Sequence, residues 1–173
     1  MDKWVSSAGG FFALFIVMYV SWNQLGLDGA KGLVASMGAT AVLLFAVPHG
    51  PLSQPWAVTG GHLVSAVIGV ACARYIPDPL LAAPLAVGIS IGSMHYLNCI
   101  HPPGGATALT AVVGGETVHQ LGFQFALTPV MVNIAAILLV ATIFNFPFAW
   151  RRYPLAWSQA GRTGKTTPTN KTT

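Results

Sequence analysis

Charge is what this sequence has least of. Only 7% of its 173 residues are charged, with eight Lys and Arg against four Asp and Glu, while 54% are hydrophobic. A soluble domain carries about 25% charged residues, so a water-soluble globular domain is excluded and an integral membrane protein remains. Acids are too few for paired-carboxylate catalysis. Asp2, Asp28, Asp78 and Glu116 lie near the N-terminus or in connectors, and neither HExxH nor a GxSxG elbow occurs, so no enzyme is expected. Cysteine is equally sparse. Cys72 and Cys99 sit in or beside apolar segments without CxxC or a His–Cys cluster, which argues against a disulfide framework and a zinc site. His95 and His101 flank a chain break without a carboxylate or Cys at ligand spacing, so neither metal nor cofactor is expected.

The positive excess is placed unevenly. Lys3, Arg151, Arg152, Arg162, Lys165 and Lys171 lie at the chain ends, a pattern that sets membrane topology and does not indicate nucleic-acid binding. The apolar run after Lys3 continues to Leu27 without charge or a small-residue cleavage site, so it is expected to stay as an anchor.

Long apolar stretches are abundant. Residues 8–25, 30–47, 56–75, 79–97 and 125–148 approach the ~20 residues that cross a bilayer core. A sixth stretch, 103–113, would reach only about 17 Å as a helix, roughly half the hydrocarbon thickness. It either begins inside the membrane or runs on through Gly114 and Gly115. The fold class expected is an all-α membrane protein with about six transmembrane helices. A single transmembrane domain should occupy residues 1–157, and the polar segment 158–173 is expected to be a disordered tail. Six spans put both termini on one side. Lys3, Arg151 and Arg152 then predict cytoplasmic termini in the cell (inner) membrane. A five-span alternative would separate the two charged ends. Trp4, Trp56, Trp150 and Trp157 fall at span ends, as interfacial anchors do.

The tetrapeptide GATA occurs at residues 38–41 and again at 105–108. The same offset overlays three spans on three others, which is a 3+3 inverted repeat because an odd-numbered unit re-enters upside down. Chance recurrence in an Ala-rich and Gly-rich chain explains one tetrapeptide equally well.

The stretch HYLNCIHPPGGATALTAVVGG, residues 95–115, carries the candidate site. Pro102 and Pro103 fit the opening of a helix and not its interior. The amides of Gly104, Gly105, Ala106 and Thr107 would then be free donors at a positive helix end, where glycines let an anion approach. Asn98 and His101 would add side-chain donors, and Ser36 and Thr40 would join from the repeat-related helix. His62 is an ionisable group at membrane depth, where such residues tend to be functional. Proton coupling through His101 or His62 is a further expectation. The same glycines also suit close helix packing, and the prolines a plain turn.

Together, HPPGGATAL at 101–109, PHGPLSQP at 48–55, GATAVLLFAVP at 38–48 and GGHL at 60–63 resemble the HPP family of integral membrane proteins. The resemblance covers roughly residues 29–148. Chloroplast and cyanobacterial members are associated with nitrite transport, so it implies a transporter or channel for a small monovalent anion, nitrite first. Pro48, Pro51, Gln54 and Pro55 would form the facing loop or gate. Beyond the anion, the partners expected are the lipid bilayer and further copies of the chain through small-residue faces. The alternative is a non-transporting membrane scaffold or assembly protein whose Gly and Pro motifs serve packing.

Overall fold

The computed structural model describes residues 2–156. The tail expected at 158–173, together with Trp157, lies outside the described residues. The described chain is helical without strands: α1 Asp2–Ala46, α2 Pro55–Tyr75, α3 Pro79–Tyr96, α4 Pro103–Val113, α5 Glu116–Leu121 and α6 Val132–Asn145. A short 3-10 turn, Pro51–Ser53, precedes α2, and a π-helical segment, Ala126–Met131, leads into α6.

α1 contains two of the expected spans. As one rod, 45 residues would measure about 68 Å, more than twice the hydrocarbon core. Gly26 breaks it with φ 68 and ψ 176, a conformation that a residue with a Cβ rarely adopts. The chain reverses there and the two arms pack side by side, Phe45 against Gly9 and Leu14 against Gly38.

Prolines open the next three helices. Pro55, Pro79 and Pro103 each stand in the first turn, where the missing amide forfeits no hydrogen bond. Asp78 caps α3 by accepting from the Leu80 amide at 2.9 Å.

Cross-chain contacts define two faces. Trp150 bonds to Asp2, Arg151 to the Phe45 carbonyl, Tyr153 to the Ser53 carbonyl and Trp56 to the Leu97 carbonyl. These mark a terminal face, which also carries Lys3, Arg151 and Arg152. Gly29 meets Thr117, while Arg74 lies beside His119 and Gly122; these mark the far face. The first arm of α1, its second arm and α2 therefore run out, back and out, while α3, α4 and α6 run back, out and back. Each helix is antiparallel to its partner at the repeat offset, as an inverted 3+3 repeat requires. The packing agrees, with α2 against α3 and α4, and α6 against α1.

Candidate functional site

α4 starts inside the protein. Gly104 rests on Gly61, roughly 9 Å along α2 from its start at Pro55. Residues 97–101 descend to that depth in non-helical form, a conformation tolerated at membrane depth only where the backbone is covered by protein. α2 provides the cover by having no side chain there. A Cβ at Gly60 would stand 2.8 Å from the Cys99 Cβ, and one at Gly61 would stand 2.6 Å from the His101 Cβ and 3.0 Å from the Cys99 carbonyl oxygen. Farther along, a Cβ at Gly69 would come within 2.6 Å of the Ala108 oxygen.

This descent delivers His101, fully buried, beside His62, their ring centroids 4.8 Å apart. Thr40 from α1 lies between them, its Oγ1 at 2.9 Å from His62 Nε2 and 3.0 Å from His101 Nε2. Thr107 from α4 meets His62 Nδ1 at 2.7 Å. Ser36 joins Thr107 at 2.8 Å and donates to the Pro103 carbonyl at 2.7 Å. At the other end, His101 Nδ1 donates to the Leu52 carbonyl at 2.8 Å. Ser36, Thr40, His62, His101 and Thr107 are each 0% exposed. They form a continuous hydroxyl–imidazole chain that none of the described charged side chains enters.

Several expected site residues fall elsewhere. Asn98 is exposed at the end of α3, with φ 51. Pro102 is exposed and lines an apolar crevice with Ile91, His95, Ile100 and Gly105. Gly104 and Gly105 do not present free amides. They donate to the His101 carbonyl at 2.9 Å and the Pro102 carbonyl at 3.0 Å, in tight i to i−3 turns that begin at Pro102, which already has helical φ and ψ. Gly104 is a packing residue, its missing Cβ leaving room for the Gly61 oxygen at 2.8 Å and Ser65 Oγ at 2.9 Å. Pro103 is buried and contributes its carbonyl to Ser36; Ala106 is half-buried.

Two groups at this site carry little or no sequence signal. The Leu52 carbonyl carries no side-chain signal. Ser65 is buried without a hydrogen-bond partner beside Gly104, and only its position three residues after His62 on α2 hinted at a shared face. Away from this hydroxyl–imidazole chain, at the terminal face, Arg151 is 5% exposed and donates to Asn145, Ser6 and the Phe45 carbonyl, a structural role beyond the topology signal.

The PHGPLSQP loop covers the terminal face of this chain. Gln54 ties it together through bonds to the Pro48 and Gly50 carbonyls, and Pro51 and Pro55 start its 3-10 turn and α2. His49 donates to the Arg152 carbonyl, and Tyr153 donates to the Ser53 carbonyl at 2.8 Å. Burial pushes the Tyr153 phenol above its ordinary range, so it stays protonated as a donor. Toward the far face, a cavity of about 170 Å³ is lined by Val70, Arg74, Ala111 and His119, and its inner wall at Ala111 is one helical turn beyond Thr107.

Antiparallel apolar helices packed through glycine, with an uncharged polar chain at their centre and a half-length helix opening beside it, define a multi-pass helical membrane protein. The chain belongs to the HPP family: residues 1–154 match its transmembrane region. Two transmembrane proteins of Dictyostelium discoideum are similar to it. One is 38% identical over 159 residues, covering 89% of this chain and 54% of its own length. The other is 40% identical over 159 residues, covering 90% and 50%. The chain thus spans about half the length of the curated relatives it matches. No solved structure matches it.

Proposed function

We propose that this domain transports a small monovalent anion, with nitrite the first candidate from the family resemblance. The observation that carries the reading is the buried Ser36–Thr107–His62–Thr40–His101 chain at the start of α4, a polar centre without a fixed cation. Turned away from their links to one another, hydroxyl and imidazole donors can replace part of an anion's hydration shell, while a buried Lys or Arg would hold it too tightly for release. A discontinuous helix at the junction of inverted units is where such transporters bind their substrates. Arg74 and His119 at the far-face cavity would draw the anion in, and the loop tied by Gln54 and Tyr153 would gate the terminal face. By the positive-inside rule the terminal face is cytoplasmic, in the cell membrane. Gly88 and Gly92 on α3 have open space around them, which suits contact with a second copy.

Nitrite influx into proteoliposomes of the purified protein tests this. Influx above empty vesicles is expected. The scaffold alternative draws on the glycines at 60, 61, 69 and 104, which serve packing, and it predicts no flux from folded protein.

A further inference from the structure

The hydroxyl–imidazole chain is one hydrogen short. Its two ends are carbonyl oxygens, Leu52 and Pro103, which only accept. Between them run six links of 2.7 to 3.0 Å: Leu52 to His101, His101 to Thr40, Thr40 to His62, His62 to Thr107, Thr107 to Ser36, and Ser36 to Pro103. Each link needs one hydrogen. With both imidazoles neutral, the five side chains hold one hydrogen apiece, so one link always faces lone pair to lone pair. Thr40 also approaches its own helix carbonyl at Ser36, at 3.2 Å, which competes for its hydrogen and deepens the deficit.

A single added proton fills every link. If it sits on His101, Nε2–H donates to Thr40, Thr40 to His62 Nε2, His62 Nδ1–H to Thr107, Thr107 to Ser36 and Ser36 to Pro103. If it sits on His62, only the two hydrogens around Thr40 change places. Passing between these states breaks the His101 Nε2–H bond and forms an O–H bond on Thr40, while the original Thr40 O–H breaks and a His62 Nε2–H bond forms. Two protons each hop one link, the net result is one positive charge moved from His101 to His62, and no electrons are transferred.

We propose that these five residues form the binding site of one proton, shared by His62 and His101 through the Thr40 hydroxyl and taken up together with the anion. The coupling rests on the anion reading above; the shared proton does not. The groups hydrogen-bonded to the imidazoles are the Thr40 hydroxyl of α1, Thr107 of α4 and the Leu52 carbonyl; Ser36 lies one link away on Thr107, Ser65 beside Gly104, and Cys99 and Met94 beside Gly61. No Asp, Glu, Lys or Arg among the described residues hydrogen-bonds to them, so an imidazolium has no resident counter-ion. A buried cation without a partner is costly, and so is a buried anion. Binding both together offsets each other's burial penalty, and linkage makes the effect reciprocal.

The test uses the full chain in lipid nanodiscs with nitrite as the probe. In weakly buffered solution a pH-indicator dye should register one proton taken up per nitrite bound, and above the shared titration point nitrite affinity should rise about tenfold per pH unit of acidification. Nitrite binding without proton uptake would overturn the coupling. Imidazole 15N spectra recorded without nitrite judge the proton site separately. The His62 and His101 signals should move together in one step, and Thr40→Val should split that step into two unequal ones. Independent titration in the unaltered chain, or no protonation of either ring before the protein unfolds, overturns the shared site. If nitrite does not bind while the rings titrate as a pair, the anion reading fails and the proton site stands.

Discussion

Thr40 and Thr107, related by the same 67-residue offset that separates Ser36 from Pro103, hold the two ring nitrogens of His62 at 2.9 and 2.7 Å. Two threonines from oppositely directed helices thus clamp one imidazole of α2. Symmetry-related positions converge on the centre when two inverted units pack face to face, which is where such folds place their ligand sites.

Each threonine hydroxyl satisfies a buried nitrogen. Thr107→Val keeps the shape and leaves His62 Nδ1 without its partner, a loss of about 1–3 kcal/mol. A lower melting temperature and nitrite flux reduced about tenfold are expected, whereas Thr107→Ser should retain both. Equal flux from the Val and Ser variants would remove the hydroxyl from the site.

The glycines of α2 and α4 divide by what a methyl group would meet. Gly61→Ala and Gly104→Ala drive a Cβ against the His101 Cβ and the Gly61 oxygen, and overpacking of this kind costs about 1–3 kcal/mol. Gly105→Ala meets nothing nearer than Val87 at 3.9 Å, and Gly88→Ala meets nothing within 4 Å. Thermal unfolding of the purified variants in detergent should separate the first pair from the second.

Arg151 clasps three segments at the terminal face through Asn145, Ser6 and the Phe45 carbonyl at the end of α1. Arg151→Gln should destabilise by about 2–3 kcal/mol, since bonds from a charged donor are the strong ones. Arg151→Lys should not restore it, because an ammonium cannot reproduce the planar fork. Protease resistance alongside the melting temperature reads both.

Topology can be labelled directly. Cys72 and Cys99 are buried, so the native background for a membrane-impermeant thiol reagent is low. With the terminal face inside, Asp78→Cys and Glu116→Cys should label on intact cells, while Lys3→Cys and Arg152→Cys should label only after lysis. The opposite pattern would invert the orientation.

Much of the architecture was legible from short-range signals. Hydropathy marked the spans, because a helix in lipid must be apolar around most of its circumference. Pro102 and Pro103 marked the start of α4, because the first turn has no use for the missing amide. The shortness of α4 followed from counting residues against bilayer thickness, whereas one repeated tetrapeptide left an inverted arrangement and chance recurrence level. The candidate site was legible in part. His62, His101, Thr40 and Thr107 were named, but the amides of Gly104 and Gly105 were added from helix-end physics, which does not show that they close onto His101 and Pro102.

By itself, then, the sequence determined that this chain lives in a membrane, roughly which stretches span it, and that His101 stands at a break. Those properties depend on local composition and backbone sterics. Only the tertiary structure decided which polar groups meet. Side chains tens of residues apart converge according to how each helix is rotated and how closely it approaches its neighbour. That approach is set by backbone contacts at Gly60, Gly61, Gly69 and Gly104, where the absence of a side chain gives no sign of what it will touch.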